Sequence, residues 1–351
     1  MAEQFPLVSV IVPVYNHQDF VGEALRSVFR QHYPALELVV VDDGSSDGSA
    51  KVIREILTDS PIPYQFLDRS HQGAPAALNL GIGTAKGDYL AILNSDDRYC
   101  QGRLVGMVSR LERSPARFAF SEVKHIDEGG GPLGEDDLYR YYYHQSLRDA
   151  DTFPTPSFEI IRHNYAVSTG NFLFHRDLFQ EVGPFQDFQT CHDWDFILRV
   201  ILIEEPLFCQ EAWYEYRIHS QNTLANLPQV REEEIDTVIS QYLRKMEGAA
   251  NRLAPTPDNW GAYWTYFSSR YLDHYLAYET AASLLGPMVE GVILSESGER
   301  IMARVGRRLH RMIATRMGGM RWITELKSSW GKKLFSSLFH LVRMVYPGKS
   351  R

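Results

Sequence analysis

Cysteine is scarce in this sequence, with three residues in 351, Cys100, Cys191 and Cys209. They form no CxxC pair, and their odd number excludes a disulfide-stapled scaffold and a zinc-finger pattern. No stretch approaches the roughly 20 uninterrupted apolar residues of a transmembrane helix. The first apolar run has no basic residues before it and is interrupted by Pro13, which predicts a strand rather than a signal peptide. We therefore expect a chain that folds in the reducing cytoplasm.

The composition is sufficient for a packed core, with 44% hydrophobic and 12% aromatic residues. The net charge of -8 is unevenly distributed. Residues 301–351 hold twelve Lys or Arg and one acid, Glu325, so this tail carries +11 and residues 1–300 carry -19. The acidic body disfavours nucleic-acid binding, because phosphates would be repelled by it. The tail needs an explanation of its own.

Short β-rich runs alternate with helical patterns in the first half of the chain, which predicts βαβ units and a mostly parallel sheet covered by helices. The predicted strands are 7–15, 36–41, 64–67 and 89–93. The predicted helices are 19–30, with Asp19 as the N-cap, 48–57 and 74–85. Residues 127–156 read as a long loop, functional or mobile. Order returns over 170–175, in a helix from 177, a helix over 192–203 and a strand over 213–218.

Four carboxylates follow two of the predicted strands, Asp42-Asp43 after one and Asp96-Asp97 after another. The carboxyl ends of parallel strands meet at one edge of a sheet, where ligands bind. Oxygen ligands suit Mg²⁺ or Mn²⁺, which share their remaining positions with substrate phosphates. The alternative is a turn and helix cap, which Asp and Ser form without any ligand. The recurrence of the pair favours a site.

These stretches together resemble the family 2 inverting glycosyltransferases, which have the GT-A fold. The resemblance covers about residues 6–220, roughly 60% of the chain. The matching stretches are Val8–Asn16, Val39–Asp47, Gly73–Gly83 with Ala85–Tyr89, Leu93–Asp97, and His192–Asp195. The resemblance implies a GT-A domain over 1–230, and the helical patterns that remain after residue 230 predict a helical C-terminal region over 231–351. It also points to the assembly of bacterial surface polysaccharide.

The resemblance implies roles for the residues of the first motifs. Pro13 and Tyr15 match positions that line the nucleoside pocket, and Asp43 matches a carboxylate that hydrogen-bonds the base. Asp96 and Asp97 match the end of the metal-binding motif, with Asp96 also at the nucleotide. Two positions depart from the family pattern: Asn94 replaces the first Asp of the metal motif, and Leu78 replaces an Arg that contacts phosphate.

Asp193 aligns with the catalytic base of the family. Inversion requires an acceptor hydroxyl that loses its proton as it attacks, and a carboxylate can take that proton. A position in the first turn of a helix favours the ionised form, which predicts a base ready at neutral pH. The alternative role is a helix cap. Trp194 is an expected floor for the acceptor sugar or a core residue, and His219 resembles an element that reaches the diphosphate or its metal, with Arg217 a weaker candidate.

The basic tail has a pattern of its own. From Trp322 onward, large apolar side chains alternate with Lys and Arg, as in a helix that lies in a membrane interface. We expect residues 322–351 to attach the protein to the inner face of the cytoplasmic membrane. Packing on the acidic body and an oligomer contact remain alternatives.

The sequence thus predicts a metal-dependent, hexosyltransferase-type enzyme. It would move a sugar from a nucleoside-diphosphate sugar, by family bias a UDP-sugar, to a hydroxyl of a saccharide or lipid-linked saccharide. The expected cofactor is Mn²⁺ or Mg²⁺. Two other functions stay open: a catalytically silent nucleotide-sugar-binding module, and a nucleotidyltransferase that releases pyrophosphate.

Overall fold

The computed structural model describes residues 5–135, 137–150, 155–222 and 227–255. This part of the chain forms one sheet of eight strands in the order β3-β2-β1-β4-β7-β6-β8-β5. The strands are β1 (Val8–Val14), β2 (Leu36–Asp42), β3 (Tyr64–Asp68), β4 (Tyr89–Ile92), β5 (Arg98–Tyr99), β6 (Phe118–Ile126), β7 (Leu173–His175) and β8 (Leu207–Arg217).

Nine helices lie in the described residues. They are α1 (Val21–Phe29), α2 (Ser49–Thr58), α3 (Ala74–Thr84), α4 (Arg103–Leu111), α5 (Leu138–Ala150), α6 (Pro156–Arg162), α7 (Arg176–Val182), α8 (His192–Ile201) and α9 (Pro228–Lys245). Short 3₁₀ turns occupy Thr169–Asn171 and Met246–Gly248.

The first four strands form the parallel part of the sheet. β1 pairs in parallel with β2 and β4, and β2 pairs in parallel with β3. All residues of β2 and β4 and nearly all of β1 are buried, as expected for strands covered on both faces. Each fully buried Val, Leu or Ile contributes about 1.5–3 kcal/mol to this core. The register brings Val14 beside Asp42, so the carboxyl ends of β1 and β2 meet at one edge.

The second half of the sheet brings β8 to the same edge. β7 is antiparallel to both β4 and β6, whereas β8 is parallel to β6 and antiparallel to β5. β5 follows Asp97 directly, and its Arg98 pairs with Glu215 of β8. Arg98 Nε also donates to Glu215 Oε2 at 2.8 Å. The end of β8 is therefore held against the Asp96-Asp97 turn.

The predicted α/β sheet flanked by helices is confirmed, and most of the predicted elements lie within two residues of their expected bounds. Four elements, β5, β6, α4 and α6, had no sequence prediction. Asp19 is not the cap of α1: the helix begins at Val21 after Phe20, which makes no side-chain cap.

The predicted loop over 127–156 was wrong in part, because it contains α5. Four residues of α5, Leu138, Tyr139, Tyr141 and Tyr142, are exposed, so no apolar stripe marked a helix. Tyr143 is buried, and its hydroxyl accepts a hydrogen bond from the Val123 N–H of β6 at 2.8 Å. Contact with the sheet, rather than local pattern, places this helix.

The compact unit that contains the sheet extends to Pro255, and within it α9 contacts α8. The predicted domain limit after residue 230 stays a prediction. The expected C-terminal helices beyond 255 and the basic tail 322–351 lie outside the described residues. Within the described ranges, no helix combines the length and apolar character needed to cross a membrane.

Candidate active site

The turn after β2 orders the edge of the sheet. Ser45 N–H donates to Asp42 Oδ1 at 3.0 Å, and Ser49 N–H donates to Asp47 Oδ1 at 2.9 Å at the start of α2. The turn interpretation therefore fits Asp42 and Asp47, although Gly48, and not Asp47, holds the N-cap position of α2. In both residues, a carboxylate oxygen accepts a hydrogen bond from a nearby backbone N–H.

Asp43 holds the loop that follows β3. Its carboxylate accepts the N–H groups of Gln72 and Gly73 at 2.7–3.2 Å and lies 3.2 Å from Arg69 Nε and 2.8 Å from His71 Nδ1. Asp43 is 2% exposed. In the structure Asp43 thus orders this loop, and its expected contact with a nucleotide base stays a prediction.

Tyr15 forms an exposed aromatic platform beside that loop. Its ring is 43% exposed and stacks on His71, with centroids 4.1 Å apart and planes 23° apart. Gly44 lets the turn after β2 approach the backbone of that loop, because its φ is +75° and a Cβ there would lie 2.7 Å from the His71 backbone nitrogen. Pro13, on the adjacent strand β1, is half-buried. Such a ring at the mouth of a nucleoside pocket can stack on a base.

Asp96 lies in a cluster with two histidines. Its Oδ2 is 3.1 Å from His219 Nε2 and 3.9 Å from His17 Nε2. One ligand atom from each of the three residues lies within 4.8 Å of the others. Burial acts to raise the pKa of Asp96, but the hydrogen bond with His219 and the attraction of both imidazoles outweigh it and lower this pKa.

The donor atoms of this cluster fit a divalent metal. Ligand atoms around an ion at about 2.1 Å are roughly 3–3.5 Å apart. The 3.1 Å between Asp96 and His219 has this spacing, and the His17 nitrogen lies somewhat further out, at 3.9 Å from Asp96. The His219 ring is buried, and its Nδ1 has no hydrogen-bond partner among the described residues. Asp96 and His219, both predicted as metal ligands, are thus brought together.

Asp97 lies outside this cluster, and its expected role as a metal ligand stays a prediction. The Tyr214 hydroxyl donates to its Oδ2, and the Arg217 N–H donates to its Oδ1 at 2.7 Å. Burial and the charge of Asp96 raise the pKa of Asp97 well above the usual range. Gly170 is required for this contact, since a Cβ there would overlap the Tyr214 hydroxyl. Asp97 therefore ties the motif to β8.

Arg217 is buried and supports the same turn. Its guanidinium donates to the Asp96 carbonyl at 2.7 Å, the Glu128 carbonyl at 2.8 Å and the Glu23 carboxylate at 2.7 Å. It also lies over the Phe20 ring, 5.1 Å from the centroid. These contacts use its donors internally, so the weaker expectation of a diphosphate contact does not fit.

Asn94 is also engaged within the protein. Its Nδ2 donates to Ser168 Oγ at 2.7 Å, and its Oδ1 accepts from Thr169 Oγ1 at 3.1 Å. The oxygen that Asn94 could offer to a metal is therefore bonded to the 168–169 turn. Leu78, the other departure from the family pattern, is a core residue of α3 at 1% exposure.

Asp193 lies in the first turn of α8, as predicted. Its Oδ1 accepts the Trp194 N–H at 2.7 Å, and its Oδ2 accepts from Asn164 Nδ2 at 2.8 Å. Burial raises the pKa of Asp193 to about 7, although these hydrogen bonds and the attraction of Arg231 act in the opposite direction. The expectation of a readily ionised carboxylate was wrong, because loss of water outweighs the helix position.

The segment that carries Asn164 has an unusual backbone. Val167 has a φ of +73°, a conformation that β-branched residues rarely adopt. It lies between Asn164, which bonds Asp193, and Ser168, which bonds Asn94. Strained backbone of this kind concentrates at functional sites. One short segment thus connects the Asp193 region to the metal motif.

Trp194 is a core residue, the alternative that the sequence left open. It is 6% exposed, and its indole N–H donates to the Ile160 carbonyl at 2.7 Å. Its expected place as the floor of an acceptor site therefore does not fit.

Tyr216 relates the two parts of the site electrostatically. It is buried, and burial together with the charges of Asp97, Asp96 and Asp193 raises its pKa well above the usual range. The charges of Asp193 and of the Asp96 motif therefore both act on one buried phenol.

Sequence reasoning missed His17, Ser95, Tyr214 and Asn164. His17 and Ser95 follow strands β1 and β4 at the same edge as Asp96, and the rule that strand ends meet at one edge would have found them. Nothing in the sequence marks Asn164 or Tyr214, since their contacts with Asp193 and Asp97 span 29 and 117 residues.

Comparison with known proteins agrees with this architecture. Residues 9–183 match the sequence model of Glycosyl transferase family 2. An uncharacterized glycosyltransferase of Rickettsia typhi is 27% identical over 246 residues, which cover 69% of this chain and 73% of that protein. Measured against the full lengths of curated relatives, this chain spans 73% of one and 34% of another.

Two solved structures share the fold. Residues 1–349 of Staphylococcus aureus TarS, in complex with UDP-GlcNAc, align with a TM-score of 0.57 at 17% identity, over 86% of this chain and 80% of that one. A mannosyltransferase of Pyrobaculum calidifontis, in complex with GDP-Man and Mn²⁺, aligns with a TM-score of 0.57 at 18% identity, over 98% of this chain and 88% of that one. Residues 9–183 thus match the Glycosyl transferase family 2 model, and the sheet flanked by helices has the GT-A type fold of these solved structures.

Proposed function

We propose that this protein transfers a sugar from a nucleoside-diphosphate sugar to an acceptor hydroxyl with inversion at the anomeric carbon. Asp193 is the catalytic base of this reaction. The observation that carries the proposal is a carboxylate whose pKa is raised to about 7. The charge of this carboxylate and the charge of Asp96, which belongs to the cluster of possible metal ligands at the sheet edge, act on the same buried tyrosine. A base with a pKa near the working pH is the most effective kind of proton acceptor.

The reaction divides its work between these two groups. An Asp193 oxygen takes the proton of the acceptor hydroxyl as the acceptor oxygen bonds to the anomeric carbon. The bond between that carbon and the donor phosphate breaks, and its electrons leave with the nucleoside diphosphate. Asn164 and the Trp194 N–H keep the Asp193 carboxylate in one orientation. The inverted product follows from attack opposite the leaving group.

A divalent metal fits the donor end of this site. When bound, it would supply positive charge to the leaving diphosphate. Asp96 and His219 are the predicted residues that hold it, and Tyr15 with Pro13 and Asp43 form the predicted nucleoside side. Two structural neighbours are in complex with UDP-GlcNAc and with GDP-Man and Mn²⁺. By the family bias of the sequence, a UDP-sugar is the first donor to test.

The test measures nucleoside diphosphate release from a donor panel that includes UDP-GlcNAc and GDP-mannose, with saccharide acceptor extracts. Each donor is assayed with Mn²⁺, with Mg²⁺ and with EDTA. Release from one donor, lost with EDTA and lost in Asp193→Asn, supports the proposal. Pyrophosphate in place of nucleoside diphosphate identifies a nucleotidyltransferase. Donor binding without turnover, under every condition, identifies a silent binding module.

The setting of this reaction is proposed from the sequence alone. A polysaccharide or lipid-linked acceptor would suit attachment of residues 322–351 to the inner face of the cytoplasmic membrane. Removal of these residues is expected to abolish co-sedimentation with anionic liposomes. If the truncated and full-length proteins co-sediment equally, the tail is not a membrane anchor.

A further inference from the structure

His17 is held firmly although sequence analysis gives it no role. It follows Asn16, which has a φ of +54° and whose Oδ1 accepts the Ser46 N–H at 2.8 Å. The His17 N–H donates to Ser49 Oγ at 2.9 Å. Its ring nitrogen Nδ1 is 2.7 Å from Ser95 Oγ. The turn after β2 and the Asp96 motif together fix both backbone and ring.

The Ser95 contact leaves the other ring nitrogen directed toward the metal cluster. His17 Nε2 lies 3.9 Å from Asp96 Oδ2, and the His17 ring is edge-on to the His219 ring with centroids 5.8 Å apart. A histidine that binds metal through one nitrogen usually bonds a protein oxygen through the other, which fixes the ring. His17 shows this arrangement, with Ser95 of the metal motif itself as the partner.

A simple ion pair explains the geometry less well. At 3.9 Å, His17 Nε2 and Asp96 Oδ2 are beyond hydrogen-bond distance. His219 Nε2, at 3.1 Å, is within hydrogen-bond distance of this oxygen and His17 Nε2 is not, whereas both nitrogens can bond an ion that also bonds Asp96 Oδ2. The ligand atoms of all three residues already lie within 4.8 Å of one another.

We propose that His17 is a third protein ligand of the divalent metal, beside Asp96 and His219, and that this set selects Mn²⁺ over Mg²⁺. The inference rests on the metal site of the proposed function, and it adds a third protein ligand and a preference between metal ions. Mg²⁺ favours oxygen ligands and loses water reluctantly, whereas imidazole nitrogen suits transition ions. Two nitrogens among three protein ligands therefore disfavour Mg²⁺.

The experiment measures metal binding directly and needs no donor sugar or acceptor. Mn²⁺ is titrated into the full chain, alone and with UDP, and the free ion is followed by its electron paramagnetic resonance signal. Pulsed measurements count the imidazole nitrogens on the bound ion, and Mg²⁺ competition gives the selectivity. The variants are His17→Gln, His17→Asp and Asp96→Asn. His32→Asn is the control, because His32 is exposed and its positive φ of 51° is one that Asn tolerates.

The expected result is two imidazole nitrogens in the wild type and one in His17→Gln, with Mn²⁺ binding weakened about tenfold or more. His17→Asp should move the preference toward Mg²⁺, because it replaces nitrogen with oxygen. His32→Asn should bind as the wild type does. The wild-type nitrogen count remains decisive if a variant fails to fold.

Two results would overturn the inference, and they differ in what they leave standing. One imidazole nitrogen in the wild type, with unchanged Mn²⁺ binding in folded His17→Gln, removes His17 but keeps the metal site of the proposed function. Mn²⁺ binding that is absent from the wild type, or equal in wild type and Asp96→Asn, removes both His17 and the proposed metal site.

Discussion

Asp96 and Asp193 are both largely removed from water, yet their surroundings act on them in opposite directions. At the sheet edge, two imidazoles lie within 4 Å of Asp96 and its pKa is lowered. At the start of α8, an amide side chain and a backbone N–H, both neutral groups, donate hydrogen bonds to Asp193, and burial raises its pKa to about 7. The comparison teaches that one chain can shift the pKa values of two carboxylates in opposite directions, as the proposed metal ligand and the proposed base each require.

The largest expected effect comes from removing the proton acceptor alone. Asp193→Asn should lower turnover by about 10²- to 10⁴-fold, the usual contribution of a general base. Nucleotide binding and Mn²⁺ binding should stay as in the wild type, because Asp193 is not part of the metal cluster. Turnover is measured by nucleoside diphosphate release and binding by calorimetry.

Asp187→Asn is the matched control for that variant, since Asp187 is an exposed carboxylate shortly before α8. It should leave turnover unchanged. Equal losses of turnover in the two variants, or a loss of nucleotide binding in Asp193→Asn, would contradict the separate roles proposed for Asp96 and Asp193.

The raised pKa of Asp193 also has a cost in stability. The unfolded carboxyl releases its proton near pH 4, whereas the folded one retains it to about pH 7, so stability falls as pH rises between these values. The cost above pH 7 is at most about 4 kcal/mol. Asp193→Asn should therefore raise the melting temperature at pH 8 and change it much less at pH 4.

The difference between variant and wild type isolates this effect from other buried groups. Burial lowers the pKa values of His125 and His192 to about 4, which makes stability rise with pH over part of the same range. A melting-temperature difference that stays constant from pH 4 to pH 8 would contradict the raised pKa of Asp193.

A smaller change should move the pH profile without removing the base. Turnover requires ionised Asp193, so it should rise with pH through a midpoint near 7. The Asn164 hydrogen bond acts to lower this pKa, so Asn164→Ala should shift the midpoint to higher pH. Asn164→Asp should shift it further, because it adds a like charge beside the carboxylate.

The two Asn164 variants also separate an electrostatic role from a structural one. If Asn164 only supports the segment around Val167, both variants would lower turnover at every pH and leave the midpoint in place. The full profile of rate against pH, from pH 5 to pH 9, distinguishes these outcomes.

The sequence predicted the parallel half of the sheet well, because β1, β2 and β4 are apolar runs that end in polar turns. It failed for α5, whose exposed tyrosines conceal a helix anchored by one buried side chain, Tyr143. Local pattern predicts elements that carry an apolar face of their own. It cannot predict an element that a distant strand holds in place.

The elements that carry the candidate residues were more predictable than the directions of their side chains. Asp96, His219 and Asp193 lie where the motifs placed them, but Asn94 and Asp97 bond Ser168 and Tyr214 instead of facing the cluster. The pKa of Asp193 could not be derived either, because burial depends on packing that the sequence does not display. His17 was missed because it belongs to no motif, although its place shortly after β1 puts it at the same sheet edge as Asp96.

The smallest expected effect lies on the nucleoside side of the donor edge and concerns Tyr15. Tyr15→Ala should weaken nucleotide binding about 2- to 10-fold, the equivalent of ~0.5–1.5 kcal/mol for an aromatic stack. Tyr15→Phe should keep the affinity. Tyr64→Ala is the matched control: Tyr64 is 47% exposed but begins β3, and Tyr15 follows the end of β1, so the two tyrosines lie at opposite edges of the parallel strands. Equal affinity losses for Tyr15→Ala and Tyr64→Ala would place the nucleoside elsewhere, whereas a loss for Tyr15 alone, without change in the pH midpoint set by Asp193, would show that the two regions act independently.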